Sequence, residues 1–82
     1  MSEDQQTIDK FLIELTEEIA TNYGDHVDFI ILFGSAARGE FKRGVSDIDL
    51  VIQLKDYEKL KQIEDFATEV FWQLNKKYDT QF

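Results

Sequence analysis

Two stretches decide the fold: Val27-Asp28-Phe29-Ile30-Ile31-Leu32-Phe33, which breaks at Gly34-Ser35, and Asp47-Ile48-Asp49-Leu50-Val51-Ile52-Gln53-Leu54. Both are rich in β-branched residues, and the first adds two phenylalanines, so each predicts a strand. The near-continuous apolar run of the first predicts a buried strand. Gly34 directly after it lets the backbone approach a ligand closely. Ser35 adds a hydroxyl and a neighbouring N–H, groups that suit phosphate. In the second strand Asp47 and Asp49 are two residues apart, so both carboxylates project from one face while Ile48 and Leu50 take the other. Two like charges side by side at the edge of an apolar sheet cost free energy unless a cation compensates them. Mg²⁺, a hard ion that takes carboxylates, water and substrate phosphates, meets that need. A bare Asp-x-Asp is more often a solvated acidic turn ahead of a strand. The Gly-Ser turn after a preceding strand shifts the reading towards a cation and phosphate seat.

Outward from these strands the pattern becomes helical. Ile8, Phe11, Leu12, Leu15, Ile19 and Tyr23 recur at intervals of three and four, which predicts an amphipathic helix over Thr7–Tyr23 with Glu14, Glu17 and Glu18 outward. Gly24 is its stop signal. His26, in the turn that follows, reads as a solvated loop residue. Ala36 to Phe41 has room for one or two helical turns with Ser35 as N-cap, and Lys42 to Ser46 reads as a loop. Leu60, Ile63, Phe66, Ala67, Val70, Phe71, Leu74 and Tyr78 predict a helix from about Asp56 to Lys77. On it Trp72 either flanks the core or meets a partner, and Lys59 and Lys61, with Lys55 just ahead, alternate with acids as a solvated face does. Tyr78-Asp79-Thr80-Gln81-Phe82 alternates like a strand. The order α-β-α-β-α-β predicts an α/β (α+β) domain, a small mixed sheet flanked by helices. Residues 1–82 form a single domain in this reading, either minimal or cut off within its last strand.

Composition narrows the functions. The chain has 82 residues and a net charge of −8, from 17 acidic and 9 basic side chains, with 43% hydrophobic residues and no cysteine. That apolar fraction predicts a folded chain, and the absence of cysteine excludes disulfides and thiolate metal sites. Neither a signal peptide nor a membrane-spanning run is present, so a cytoplasmic protein with no membrane partner is expected. Direct nucleic-acid binding is not expected, because it draws on Lys and Arg to neutralise phosphates. The compact basic group Arg38, Lys42 and Arg43 lies within the motif, where it suits a triphosphate. A short chain with an unpaired terminal strand also favours a homo-oligomer.

Leu32-Phe33-Gly34-Ser35-Ala36-Ala37-Arg38-Gly39 followed by Ser46-Asp47-Ile48-Asp49-Leu50-Val51-Ile52 closely resembles the minimal nucleotidyltransferases of the DNA polymerase β-like superfamily. The family includes antitoxins that accompany HEPN-domain toxins, and the loop here is slightly longer than in many minimal members. The resemblance implies transfer of a nucleoside monophosphate, AMP from ATP, to a hydroxyl, with Mg²⁺ as cofactor. Gly34 and Ser35 would hold the β- and γ-phosphates, and Asp47 and Asp49 would ligate the metal. Arg38 would reach the triphosphate or the acceptor, or else pair with Asp47 or Asp49. Active members carry a third carboxylate on the next strand, for which Asp79 is the candidate; the other reading of Asp79 is a strand-leading residue with no metal role. A HEPN-domain protein would be the partner of the antitoxin version. The competing function is an inactive nucleotide- or partner-binding module of the same fold.

Overall fold

The computed structural model describes residues 3–40, 42 and 48–80, with the backbone alone at Phe33, Ser35 and Ala36. Its elements are helix α1 (Glu3–Tyr23), a single 3-10 turn (Gly24–His26), strand β1 (Val27–Phe33), short helix α2 (Gly34–Ala37), strand β2 (Asp49–Leu54) and helix α3 (Leu60–Tyr78). The expected α+β class and the first five elements stand. α1 begins earlier than Thr7 because Gln5 is buried and its Nε2 donates to Asp9 Oδ1 at 2.8 Å, one turn along. Glu3 and Asp4 in its first turn complement the helix dipole.

β1 and β2 pair antiparallel, with Leu32 opposite Leu50, Ile31 opposite Val51 and Phe33 opposite Asp49. One register shift, between Val27 and Phe29, leaves Asp28 as an extra residue in β1. Such a bulge turns Val27 and Ile30 to the same side, where both pack against the core. The described sheet has these two strands, so the expected mixed sheet is antiparallel over the described residues.

α1 and α3 cover one face of that sheet. The core is Ile8, Phe11, Leu12, Leu15 and Ile19 of α1 with Val70 and Leu74 of α3, against which Ile30, Leu32, Leu50 and Ile52 pack from the sheet. Phe11 is fully buried, and its ring meets the edge of Phe71 at 5.1 Å between centroids. The opposite face is open: Phe29, Ile31 and Val51 are 45%, 38% and 47% exposed. β1 is therefore not the fully buried strand its apolar run predicts. Both long helices lie on one side, so alternate residues of that run are left in solvent.

Other boundaries differ for local reasons. α2 starts at Gly34, so Ser35 lies inside the helix and not at its N-cap, and the helix ends in a turn at Gly39, whose φ of +75° is left-handed. α3 starts at Leu60 because Asp56–Lys59 form a turn, in which the Glu58 N–H donates to Asp56 Oδ1 and the Leu60 N–H to the Tyr57 carbonyl. The expected final strand is absent over 78–80, while residues 81 and 82 lie outside the described residues. Tyr78 is the last helical residue and Asp79 is a left-handed C-cap with φ 53° and ψ 53°. The Thr80 N–H donates to the Asn75 carbonyl at 2.8 Å and its hydroxyl to Asn75 Oδ1 at 2.7 Å, which satisfies the helix end. Trp72 is 59% exposed under Lys76, whose Nζ lies 3.9 Å from the ring centroid. Lys61 pairs with Asp65 on the solvated face.

The two long helices are also joined by Lys77 Nζ, 2.6 Å from Glu14 Oε1. The hydrogen bond from Lys77, and a second from Tyr78, hold the Glu14 carboxyl below the ordinary glutamate value. A depressed carboxyl stabilises the fold above its unfolded pKa, and that contribution disappears as pH falls through the folded value. Glu14→Gln should therefore lower the melting temperature slightly at neutral pH, and the gap to wild type should close as pH is taken down through that range. Thermal melts of both proteins from pH 7 to pH 3 measure this. Truncating the core should be far more costly. Phe11→Ala is expected to lose about 3–5 kcal/mol in urea unfolding, a large share of a small domain's stability.

Candidate functional site

The candidate site lies where β1 hands over to α2. Because Phe33 pairs with Asp49, the chain turns at Gly34 directly beside the first residue of β2. Gly34 takes φ +75°, a left-handed conformation that residues with a Cβ adopt at a cost. A Cβ built there would sit 2.7 Å from Asp49 Oδ2, closer than van der Waals contact permits. Glycine is thus required twice, by backbone conformation and by the approach of the carboxylate. Asp49 itself is exposed at the end of the sheet. With Phe33 opposite it, and with Val51 and Gln53 at alternate positions, it belongs to the open face and not to the helix-covered one.

The structure thus brings Gly34 and Asp49 together. Ser35 follows in α2, its side chain outside the described set, and Asp47 lies outside the described residues altogether. Arg38 is one turn beyond Gly34, its N–H bonded to the Gly34 carbonyl at 3.3 Å. Its guanidinium pairs with Glu40, Nε to Oε2 at 3.3 Å, with both groups well exposed. Such an exposed pair is weak, so a stronger anion displaces it readily. Asp79 caps α3. Through Tyr78 the last turn of that helix meets Phe11 and Glu14 in the middle of α1, so α3 carries the chain back towards the Asp49 end of the sheet.

The residue whose setting was not apparent in the sequence is His26. It is not a solvated loop residue. It is 24% exposed, and Nδ1 lies 3.2 and 3.1 Å from the two carboxylate oxygens of Asp56, which follows β2. The hydrogen bond with His26 holds the Asp56 carboxyl below the ordinary aspartate value. The partners are thirty residues apart in sequence, and only the strand pairing joins them.

Comparison with known proteins gives the family. The family model described as a nucleotidyltransferase domain matches residues 12–81, and the chain belongs to that family. A protein of Methanocaldococcus jannaschii, provisionally named a protein adenylyltransferase, is 41% identical over 49 residues, covering 60% of this chain and 48% of its own length. The chain thus spans about half the length of that relative. No solved structure is significantly similar to this chain. Among the described residues no helix is long and apolar enough to cross a membrane.

The close approach at Gly34 gives a direct test. Gly34→Ala should push the Asp49 carboxylate aside and strain the backbone, costing about 1–2 kcal/mol of stability. Nucleotide binding should weaken well beyond what that loss explains. Urea unfolding and calorimetry with ATP and Mg²⁺ on the same preparation separate the two effects. Unchanged binding would mean that the Gly34–Asp49 contact has no part in the site.

Proposed function

We propose that this chain is a nucleotidyltransferase unit that moves AMP from ATP to a hydroxyl of a protein acceptor. The observation that carries the proposal is the Gly34–Asp49 contact on the open face of the sheet. It offers a backbone cradle beside a carboxylate, and among the described residues no element covers the approach. The family match supports the reaction class. The provisional name of the M. jannaschii relative supports AMP as the group and protein as the acceptor.

In this reading the backbone at Gly34 and Ser35 holds the β- and γ-phosphates. The left-handed turn lets the chain approach them without a side chain between. Asp47 and Asp49 hold Mg²⁺, whose preference for oxygen donors the exposed Asp49 carboxylate fits. When bound, Mg²⁺ supplies positive charge against the phosphate oxygens. The acceptor oxygen forms a bond to the α-phosphorus as the bond to the β-phosphate oxygen breaks, and pyrophosphate departs. The hydroxyl proton passes to a carboxylate, for which Asp79 is the proposed group. Arg38 leaves Glu40 to bind the triphosphate or the acceptor. Positioning and charge neutralisation carry most of the acceleration in such transfers. A tyrosine on a HEPN-domain partner is the acceptor implied by the resemblance to antitoxin members.

One observation favours a second reading, a nucleotide- or partner-binding module without turnover. Asp79 is tied into the cap of α3 and does not lead a strand, so over the described residues no third strand presents a carboxylate to Asp49.

The double variant Asp47→Ala/Asp49→Ala should stay folded by circular dichroism and lose Mg²⁺-dependent ATP binding by at least about 100-fold, more than the loss of an outer-shell group gives. Equal binding by wild type and variant in calorimetry would sink the metal-seat reading. Incubation with ATP labelled in the α-phosphate, Mg²⁺ and a candidate partner then separates the two functions. Label transfer that Asp79→Asn abolishes identifies the enzyme, whereas ATP binding with no transfer identifies the module.

A further inference from the structure

The far end of the hairpin carries a second group of ligating side chains. His26, Asp56 and Glu58 each offer one ligand atom within 4.8 Å of the others. They come from two segments that the fold fixes against each other. Val27 pairs with Leu54, and the Lys55 N–H donates to the His26 carbonyl at 2.9 Å. The Asp56 carboxylate is oriented from two sides, by the Glu58 N–H at 3.1 Å and by His26 Nδ1, which lies nearly equidistant from both of its oxygens. A spacing of 3.1–3.2 Å between imidazole nitrogen and carboxylate oxygen is also about the spacing of two ligands on one ion with bonds near 2.0–2.2 Å. Glu58 is exposed and its side chain is free to swing the remaining distance.

A second feature points to a cation at this place. α1 ends at Tyr23, immediately before the turn that holds His26, and has no basic residue in its last turn. The partial negative charge of a long helix's C-terminus is thus left without a counter-charge from its own sequence. Lys59 lines the cavity next to His26 and opposes a cation there, which keeps the affinity modest.

We propose that His26, Asp56 and Glu58 form a seat for a divalent transition-metal ion of the zinc class. The imidazole nitrogen selects the class. Mg²⁺ and Ca²⁺ take oxygen donors, whereas one imidazole with two carboxylates suits Zn²⁺, Co²⁺ or Ni²⁺. Three protein ligands leave at least one position for water. The ion takes the place of the proton that His26 and Asp56 share, and it ties the segment before β1 to the turn before α3. Asp49 lies at the other end of β2, roughly 17 Å away along the strand, so the seat is independent of the nucleotide site and stands whether or not that site turns over.

The chain contains a single histidine, so its imidazole resonances are assigned without ambiguity. In metal-free buffer, one equivalent of Zn²⁺ should shift the His26 ring signals and raise the melting temperature, while Mg²⁺ at the same concentration should do neither. By calorimetry, Asp56→Asn and Glu58→Gln should each weaken Zn²⁺ binding by about tenfold or more, and His26→Ala should abolish it. Glu58→Gln guards against loss of fold, because Glu58 is exposed. The proposal is overturned if stoichiometric Zn²⁺ leaves the His26 resonances unmoved. It is equally overturned if wild type and Glu58→Gln bind Zn²⁺ with the same affinity, since the ion then sits elsewhere on an acidic surface.

Discussion

Everything at the site depends on one register. Antiparallel pairing sets Phe33 opposite Asp49, and that single pairing fixes which carboxylate meets the turn, on which face, and at what distance from the backbone. A slip of one residue would exchange the faces of β2, placing Asp49 against the helices and Leu50 in solvent. The register is held by what lies on the covered side, where Ile30, Leu32, Leu50 and Ile52 pack against α1 and α3. The apolar face thus positions the acidic one. Burial on one side of the β1–β2 pair orients the carboxylate on the other.

The division of faces also reconciles an acidic chain with the proposed site for polyphosphate. With a net charge of −8 the surface as a whole repels anions. Glu17 and Glu18 of α1 and Glu64 and Glu69 of α3 are exposed on the helices behind the sheet, while Arg38 and Lys42 follow Gly34 in the chain. Arg38 is occupied by Glu40 in a weak exposed pair, so it stays close to the turn without closing it. The apolar strip of Phe29, Ile31 and Val51 beside Asp49 gives the open face a mixed character, charged at one end and hydrophobic along its length.

Much of this was legible in the sequence. The period of α1 and α3, the two strands and the Gly34 turn all follow from local pattern, because each depends on residues a few positions apart. The pairing of Gly34 and Asp49 as a proposed site also started from the sequence, and the structure adds their close approach. Three features were not legible, each for a physical reason. The open face of β1 depends on both helices choosing the same side, which an apolar run of Phe29, Ile30, Ile31 and Leu32 does not encode. Alternation over Tyr78–Phe82 resembles a strand, but Asn75 and Thr80 close the helix through a cap whose partners are five residues apart, and capping outweighs a short alternating pattern. His26 and Asp56 are brought together only by the hairpin between them, so neither carries a local mark of the other.

Asp28, the extra residue of β1, separates the two ends of the hairpin. On the Phe29–Phe33 side the ladder is unbroken and tied to the Gly34 turn. On the Val27 side it is tied to His26 and the segment around Asp56. Changes of chain length have unequal consequences along this strand. Removing Asp28 would restore a continuous ladder with Val27 still facing the helices and Phe33 still opposite Asp49. Removing any one residue from 29 to 33 would invert the inward and outward positions beyond it. The strand therefore has one joint at which drift in length can be absorbed, and it lies at the end away from the proposed nucleotide seat.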